Sequence, residues 1–367
     1  MTSKSTATAE SAEEARRARR ARPAKRARPA KRASVTDVAK LAGVSVGTVS
    51  NVLNRPEHVA AGTRERVRAA IQELAFVRNA SARQLRSGEI KTIGAVVLDI
   101  ANPFFTEMAR GIEDRLAQDD FTLMLCSSDE NPEREARYLR LFEEHGVQGV
   151  LAVPSHGSID ALISLRKRNI DVVLLDHTSP LPDLASVAVD DVGGAALATG
   201  HLLDQGHTRL AFLNGPLTLR QCVDRRDGVV QTLLSRGLDP AEALIEIPLE
   251  TLNADGGDAA MRALLAWPGP RPTATFCVND LTALGALRAL RDLGVAVPGE
   301  MAVVGYDDVN FASMLATPLT SVRQPMYKMG WTAADMLLRR HGSDEPAEQI
   351  EFAPELVVRG SSVAEAG

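Results

Sequence analysis

The residues best suited to chemistry fall into two sets, one in a single short stretch and one spread along the rest of the chain. In Val35 to Asn54, VTDVAKLAGVSVGTVSNVLN, the side chains of Val46, Gly47, Thr48, Ser50 and Asn51 share one outer helical face near its N-terminus. An amide such as that of Asn51 takes adenine bidentately in a major groove. The second set follows short apolar runs: Asn102, Phe104 and Phe105 after TIGAVVL, Asp176 and His177 after DVVLL, Asn279 and Asp280 at the end of ATFCV, and Asp307 after VVGY. An aromatic pair beside an amide suits stacking on the apolar face of a sugar while bonding its hydroxyls. Asn279 and Asp307 are placed equally well to cap the helix or turn that follows each run.

The first set needs two short helices around the turn Gly43, Val44 and Ser45. Thr36 can cap a helix with Val38, Ala39 and Ala42 on its inner face, Gly43 stops it, and Ser45 caps the next. Val49 and Leu53 then point to a core that a third helix closes with Val67, Ala70, Ile71 and Leu74, its expected cap being Thr63. This is a helix-turn-helix, the all-α arrangement that places a recognition helix in DNA. After it, Asn79 to Arg86, NASARQLR, has the pattern of a helix too short to persist alone in water. Its one large apolar side chain, Leu85, either packs on the bundle or wedges into a minor-groove base step.

The second set needs a different scaffold. From Thr92 onward TIGAVVL, FTLMLC, GVLAV, DVVLLD and SVAV alternate with helical stretches, and RLAFLN, LIEI, ATFCV and MAVVGY repeat the alternation. Both halves read as buried parallel α/β layers, and open parallel sheets bind ligands beyond the carboxyl ends of their strands.

Composition fits a multidomain protein: 367 residues, 45% hydrophobic, with no apolar run long enough for a membrane span and no apolar segment after the basic N-terminus to make a secretory signal. Cys126, Cys222 and Cys277 lie in apolar segments without metal-type spacing, so reduced thiols in a cytoplasm are expected. Charge is divided unevenly. Residues 1–34 hold 11 Lys/Arg against 3 Glu, the first 90 residues carry +11, and residues 91–367 carry −16. The positive end is the one suited to phosphate. The tail, with RRARRARPAKRARPAKRA, has nothing to bury and is expected to be disordered, adding nonspecific DNA affinity or standing as an inert extension. Phosphate-loop, dinucleotide, zinc-protease and nucleophile-elbow motifs are missing, and the seven histidines are scattered, so no catalytic or metal site and no cofactor is expected.

VTDVAKLAGVS, TVSNVLN, TIGAVVLDIANPFF, HLLDQGHTRLAFLNGP, RPTATFCVNDLTALGALRAL, VPGEMAVVGYDD and TPLTSVRQP occur in one order over residues 35–361. In this the chain resembles the LacI/GalR-family transcriptional regulators. The resemblance implies a helix-turn-helix headpiece over residues 35–78, a hinge over 79–90, and a two-lobed periplasmic-binding-protein-like core of parallel sheets over 91–361. It implies chain crossings near Asp190, Val322 and Asp344, giving lobe 1 about 91–190 plus 322–343 and lobe 2 about 191–321 plus 344–361. Thr36, Ser45, Val46, Gly47, Thr48, Ser50, Asn51, Asn79 and Leu85 are then the DNA-facing residues. Effector positions fall on Asn102, Phe104, Phe105, Asp176, His177, Asn279, Asp307 and Gln324, with Arg220 as the best counterpart of the arginine that clamps the effector.

Several residues depart from the family pattern. Asn51 stands where Arg is frequent, His177 where many relatives have Arg, and Leu252 where an aromatic is usual. The implied protein is a cytoplasmic homodimeric repressor of a pseudo-palindromic operator, controlled by a sugar or nucleoside. A purine-responsive corepressed regulator of the same architecture is one alternative. A sugar-transport binding protein shares the larger fold but not the helix-turn-helix.

Overall fold

The computed structural model describes residues 33–76, 91–155, 157–340 and 346–363. Residues 1–32 of the expected tail and the expected hinge over 79–90, with Asn79 and Leu85, lie outside them. Two compact units divide at residues 89 and 90.

The N-terminal unit has three helices, α1 (Val35–Ala42), α2 (Val46–Asn54) and α3 (Ala61–Glu73), with a 3-10 turn at Pro56–His58. Thr36 does not cap α1. Ser34 does, because the capping oxygen must sit one residue before the helix, and Asp37 reaches back to complete a reciprocal box. Gly43 ends α1 with φ +65°, the left-handed conformation that costs glycine least. Ser45 caps α2 as expected, its Oγ accepting from Thr48 N at 3.0 Å. Helix α3 starts two residues before Thr63 with no side-chain cap. Val38, Val49, Val52, Val67 and Ala70 form the small core, with Leu53, Ile71 and Leu74 half-buried around it.

The C-terminal unit contains two six-stranded sheets. The first is built from β1 (Thr92–Val97), β2 (Thr122–Ser127), β3 (Gly149–Ala152), β4 (Asp171–Leu175), β5 (Ala185–Val189) and β11 (Gln349–Phe352), in the order β11-β5-β4-β3-β1-β2. The second contains β6 (Leu210–Asn214), β7 (Leu244–Pro248), β8 (Ala274–Cys277), β9 (Ala302–Asp307), β10 (Thr320–Arg323) and β12 (Glu355–Val357), in the order β12-β10-β9-β8-β6-β7. All pairings are parallel except that of β12 with β10. Helices α4 (Pro103–Ala117), α5 (Pro132–His145), α6 (Ile159–Arg166), α7 (Asp191–Asp204), α8 (Arg220–Ser235), α9 (Pro240–Ala243), α10 (Ala254–Leu265), α11 (Asp280–Asp292) and α12 (Met326–Arg340) complete the unit.

Strand residues alternate between two burial environments, as a sheet covered on both faces requires. Ile93, Ala95 and Val97 pack with Phe104, Met108 and Ile112 of α4, while Val96, Val150 and Val172 join Leu139, Phe142 and Leu162 on the opposite face.

Of the two later crossings, the one expected near Val322 falls beside that residue and the one expected near Asp344 is displaced. Val322 pairs with Tyr306 inside the second sheet, so the chain leaves that sheet after Arg323 and before α12. The final passage lies between Phe352 and Glu355, not near Asp344, because QIEF extends the first sheet beside β5. Strands β10, β11 and β12 are short and polar in pattern, and periodicity alone did not mark them.

Candidate DNA-reading helix and effector cleft

On α2, Gly47 and Asn51 are exposed, and Val46, Thr48 and Ser50 are half-buried. The Ser45 and Thr48 hydroxyls are 2.9 Å apart, and Asn54 Nδ2 donates to Ser50 Oγ at 3.2 Å. Val46 also leans on the small core, so it anchors the helix as much as it faces outward. A Cβ added at Gly47 would meet only Ser45 Oγ, at 3.6 Å, so a small residue is sterically free to vary there.

In the C-terminal unit, a cleft of about 310 Å³ opens beyond the carboxyl ends of β1, β4, β8 and β9. Six expected residues line it: Asn102, Phe104, Phe105, Asp176, Asn279 and Asp307. Phe104 and Phe105 meet edge-to-face, with ring centroids 4.9 Å apart. Asn102 caps α4 through its Oδ1 on Phe104 N, and Asn279 caps α11 through its Oδ1 on Thr282 N. Both therefore cap helices at the edge of the cleft, and Asn279 also donates from Nδ2 to Leu252 O.

Three expected residues are not part of the lining. His177 Nδ1 donates to Thr178 O at 2.6 Å, and its pKa is lowered mainly by burial. Gln324 lies beneath the cleft, donating to Asp307 Oδ1 at 2.8 Å. Arg220 is 54% exposed in its side chain and pairs with Asp224, having the wrong phase on α8 to point inward.

The arginine that does line the cleft is Arg225, whose side chain is 6% exposed. Its Nε bonds Asp191 at 2.8 Å, its Nη1 donates to Val278 O at 2.6 Å, and its guanidinium lies 3.7 Å from the Tyr306 ring centroid. Burial alone would lower its pKa, but Asp191 and the neighbouring Tyr306 and acids raise it. The signal was present in the sequence: Cys222, Arg225, Val229 and Leu233 form the inward stripe of α8, and a lone cation on such a stripe marks a buried partner.

Sequence reading also missed Asp99, Glu130 and Gln221. Gln221, on α8 of the second half, donates from Nε2 to Asp176 O and Oδ2 of the first, at 2.6 and 2.9 Å. The other Asp176 oxygen, Oδ1, is buried without a partner. Burial first, and Asp191 next, push the Asp176 carboxyl well above the usual range, and burial pushes Asp307 up to about 8. Of eight non-glycine residues with positive φ among the described residues, Asp129, Glu130, Asp176 and Asp307 line this cleft, a concentration of backbone strain typical of functional sites. The neighbouring acids split as adjacent strand-end residues should. Asp307 faces the cleft, while Asp308 pairs with Arg323 and Arg359.

Residues 34–79 match the family model "Bacterial regulatory proteins, lacI family", and residues 199–362 match "Periplasmic binding protein-like domain". The HTH-type transcriptional repressor PurR of Aliivibrio fischeri (strain ATCC 700601 / ES114) is 34% identical over 332 residues, covering 89% of this chain and 98% of the relative. The chain belongs to the lacI family. It is therefore a DNA-binding transcriptional regulator with an effector-binding core, as the motif order implied. The family resemblance extends to solved structures. The Lac repressor dimer bound to operator and the anti-inducer ONPF superposes with a TM-score of 0.77 at 28% identity, covering 91% of this chain and all of that one. A LacI family regulator from Enterococcus faecium with bound ribose gives a TM-score of 0.68 at 30% identity, covering 74% and 98%. No helix among the described residues is long and apolar enough to cross a membrane.

Proposed function

We propose that this lacI-family chain is a cytoplasmic, non-enzymatic repressor that binds a pseudo-palindromic operator as a homodimer and takes a sugar or nucleoside effector in its cleft. The observation that carries the effector reading is a cavity lined by Asp176, Arg225, Asn279 and Asp307, where the buried Asp176 Oδ1 has no hydrogen-bond partner among the described residues. A buried acceptor without a donor costs free energy, and a ligand hydroxyl supplies the missing donor. Phe104 and Phe105 offer an apolar wall for the ring face.

DNA reading is assigned to the outer face of α2, with Gly47, Thr48, Ser50 and Asn51 nearest the bases, Val46 and Ser45 holding the N-terminal end, and Thr36, Asn79 and Leu85 as flanking contacts. The Lac repressor relative bound to operator as a dimer supports the homodimer. An apolar groove of about 440 Å³ lined by Leu284, Leu287, Val295, Val297 and Leu315 supports it further, as surface of this kind is normally covered by a partner. A ligand that fits one angle between the two halves better than another shifts operator affinity, and operator must shift ligand affinity by the same factor.

The test uses full-length protein and an operator fragment obtained by selection from random duplexes. Fluorescence anisotropy then follows operator binding with pentoses, hexoses, nucleosides and purines. One class should change operator affinity, and Asp307→Ala should abolish that change. If every compound leaves it unaltered, the effector reading fails while the DNA-binding assignment stands.

A further inference from the structure

The acids of the cleft outnumber its cations, and two of them, Asp99 and Glu130, have no cation paired with them among the described residues. Arg225 is taken by Asp191, Arg134 by Asp129, and Arg220 by Asp224. Asp99, Glu130, Asp176 and Asp307 all line the cleft, and none has a basic partner within ion-pair distance among the described residues. Asp99 accepts only the backbone N–H of Ala101, at 2.8 Å, and Glu130 accepts no hydrogen bond from a described residue. Glu130 sits half-buried on a left-handed backbone, φ +56°, and lines the cleft together with Asp99; burial first, and Asp99 next, raise its pKa. Holding a carboxylate there costs stability that no contact with a described residue returns.

A neutral polyol would supply hydroxyl groups to Asp176 but would leave the carboxylates of Asp99 and Glu130 without a counter-charge in the cleft. A cation would supply it. An inorganic ion does not suit the arrangement, since no three His, Cys, Asp or Glu among the described residues are gathered to hold a metal. The donors and acceptors needed at the other end are those for hydroxyls: Asp176 Oδ1, the guanidinium of Arg225 and the amide of Asn279.

Resting on the reading that the cleft holds the effector, we infer that this effector is an aminated polyol of amino-sugar type. Its ammonium is seated by Asp99 and Glu130, and its hydroxyls by Asp176, Asn279 and Arg225. The acidic core, at −16 over residues 91–367, also draws cations toward the cleft.

Matched triplets test this: D-glucosamine, D-glucose and N-acetyl-D-glucosamine, with the corresponding galacto and manno sets, titrated calorimetrically into full-length protein at low and high salt. At least one amine should bind about ten-fold or more tighter than both its hydroxyl and its acetylated twin, the scale of one charge-assisted hydrogen bond. That preference should shrink with salt and in Glu130→Gln. Asp99→Asn provides a second variant, and the melting temperatures of both without ligand report folding. A neutral or acetylated member binding as well as its amine overturns the charge assignment and leaves the cleft reading intact. If no member of any triplet binds, the amino-sugar assignment is overturned. The cleft reading falls separately, only if the wider screen of pentoses, hexoses, nucleosides and purines against operator binding is equally silent.

Discussion

The recognition helix and the effector cleft solve the problem of positioning polar groups in opposite ways. On α2 the working residues are neighbours in sequence, held by one serine cap, one glycine stop and a few valines, and each support lies within twenty residues of what it supports. In the cleft, residues from Asp99 to Asp307 meet only because two sheets and the helices after them have folded, and a buried ionic network fixes their side chains. The lesson concerns cost. The helix stays adjustable where its outer face is exposed, as at Gly47, whereas the charged cleft residues Asp176, Arg225 and Asp307 also belong to the core's electrostatic balance.

That contrast predicts its largest effect at Arg225. Arg225→Ala leaves Asp191 buried without its partner and should destabilise the core by about 3–5 kcal/mol in urea denaturation. A double variant with Asp191→Asn should recover part of this. A small effect would mean the network is not structural and would bring the cleft closer to the helix in kind. On the helix side, Gly43→Ala should cost about 1–2 kcal/mol by the same measurement on the headpiece unit, purely from the left-handed backbone, since a Cβ there meets nothing within 4 Å. Ser45→Ala should cost about 1 kcal/mol through loss of the cap on α2.

The pH dependence sharpens the comparison. Asp307 is pushed up to about 8, chiefly by burial, against an ordinary value of 3.8, so the folded core binds a proton that the unfolded chain has released. Its contribution is fully present below about 4, declines as pH rises, and is lost as pH passes 8. Core melting temperature should therefore fall from pH 5 to 8.5 more steeply in the natural protein than in Asp307→Asn, whose amide needs no proton. Parallel slopes would show that Asp307 is not the group responsible. The smallest change in stability is expected at Gly47: Gly47→Ala should stabilise α2 by up to about 1 kcal/mol, yet alter the preferred operator in a selection experiment. An unchanged operator would remove Gly47 from the reading face.

Legibility followed the same division. Ser45, Gly43, Val49 and the inward residues of α3 were readable because capping, left-handed turns and helical period are local rules. Thr36 and Thr63 failed as caps for a local reason too: several polar residues stood near each helix start, and only backbone geometry selected Ser34 for α1 and none for α3. In the core, apolar runs announced nine strands, and the rule of strand carboxyl ends brought Asn102, Phe104, Phe105, Asp176, Asn279 and Asp307 to one cleft. It failed where helix phase decides which side chain points inward, so Arg220 was chosen over Arg225.

By itself, then, the sequence determined the kind of protein: the motif order, the helix-turn-helix, the two α/β halves and the split of charge between a basic end and an acidic core are written in composition and period. Only the tertiary structure decided which carboxylates share a cavity, that Gln221 crosses from one half to Asp176 of the other, and that Arg225 is neutralised from within. Local rules fix a residue's direction relative to its own element. The charge balance of a cavity depends on distances between elements far apart in the chain, and folding alone sets those distances.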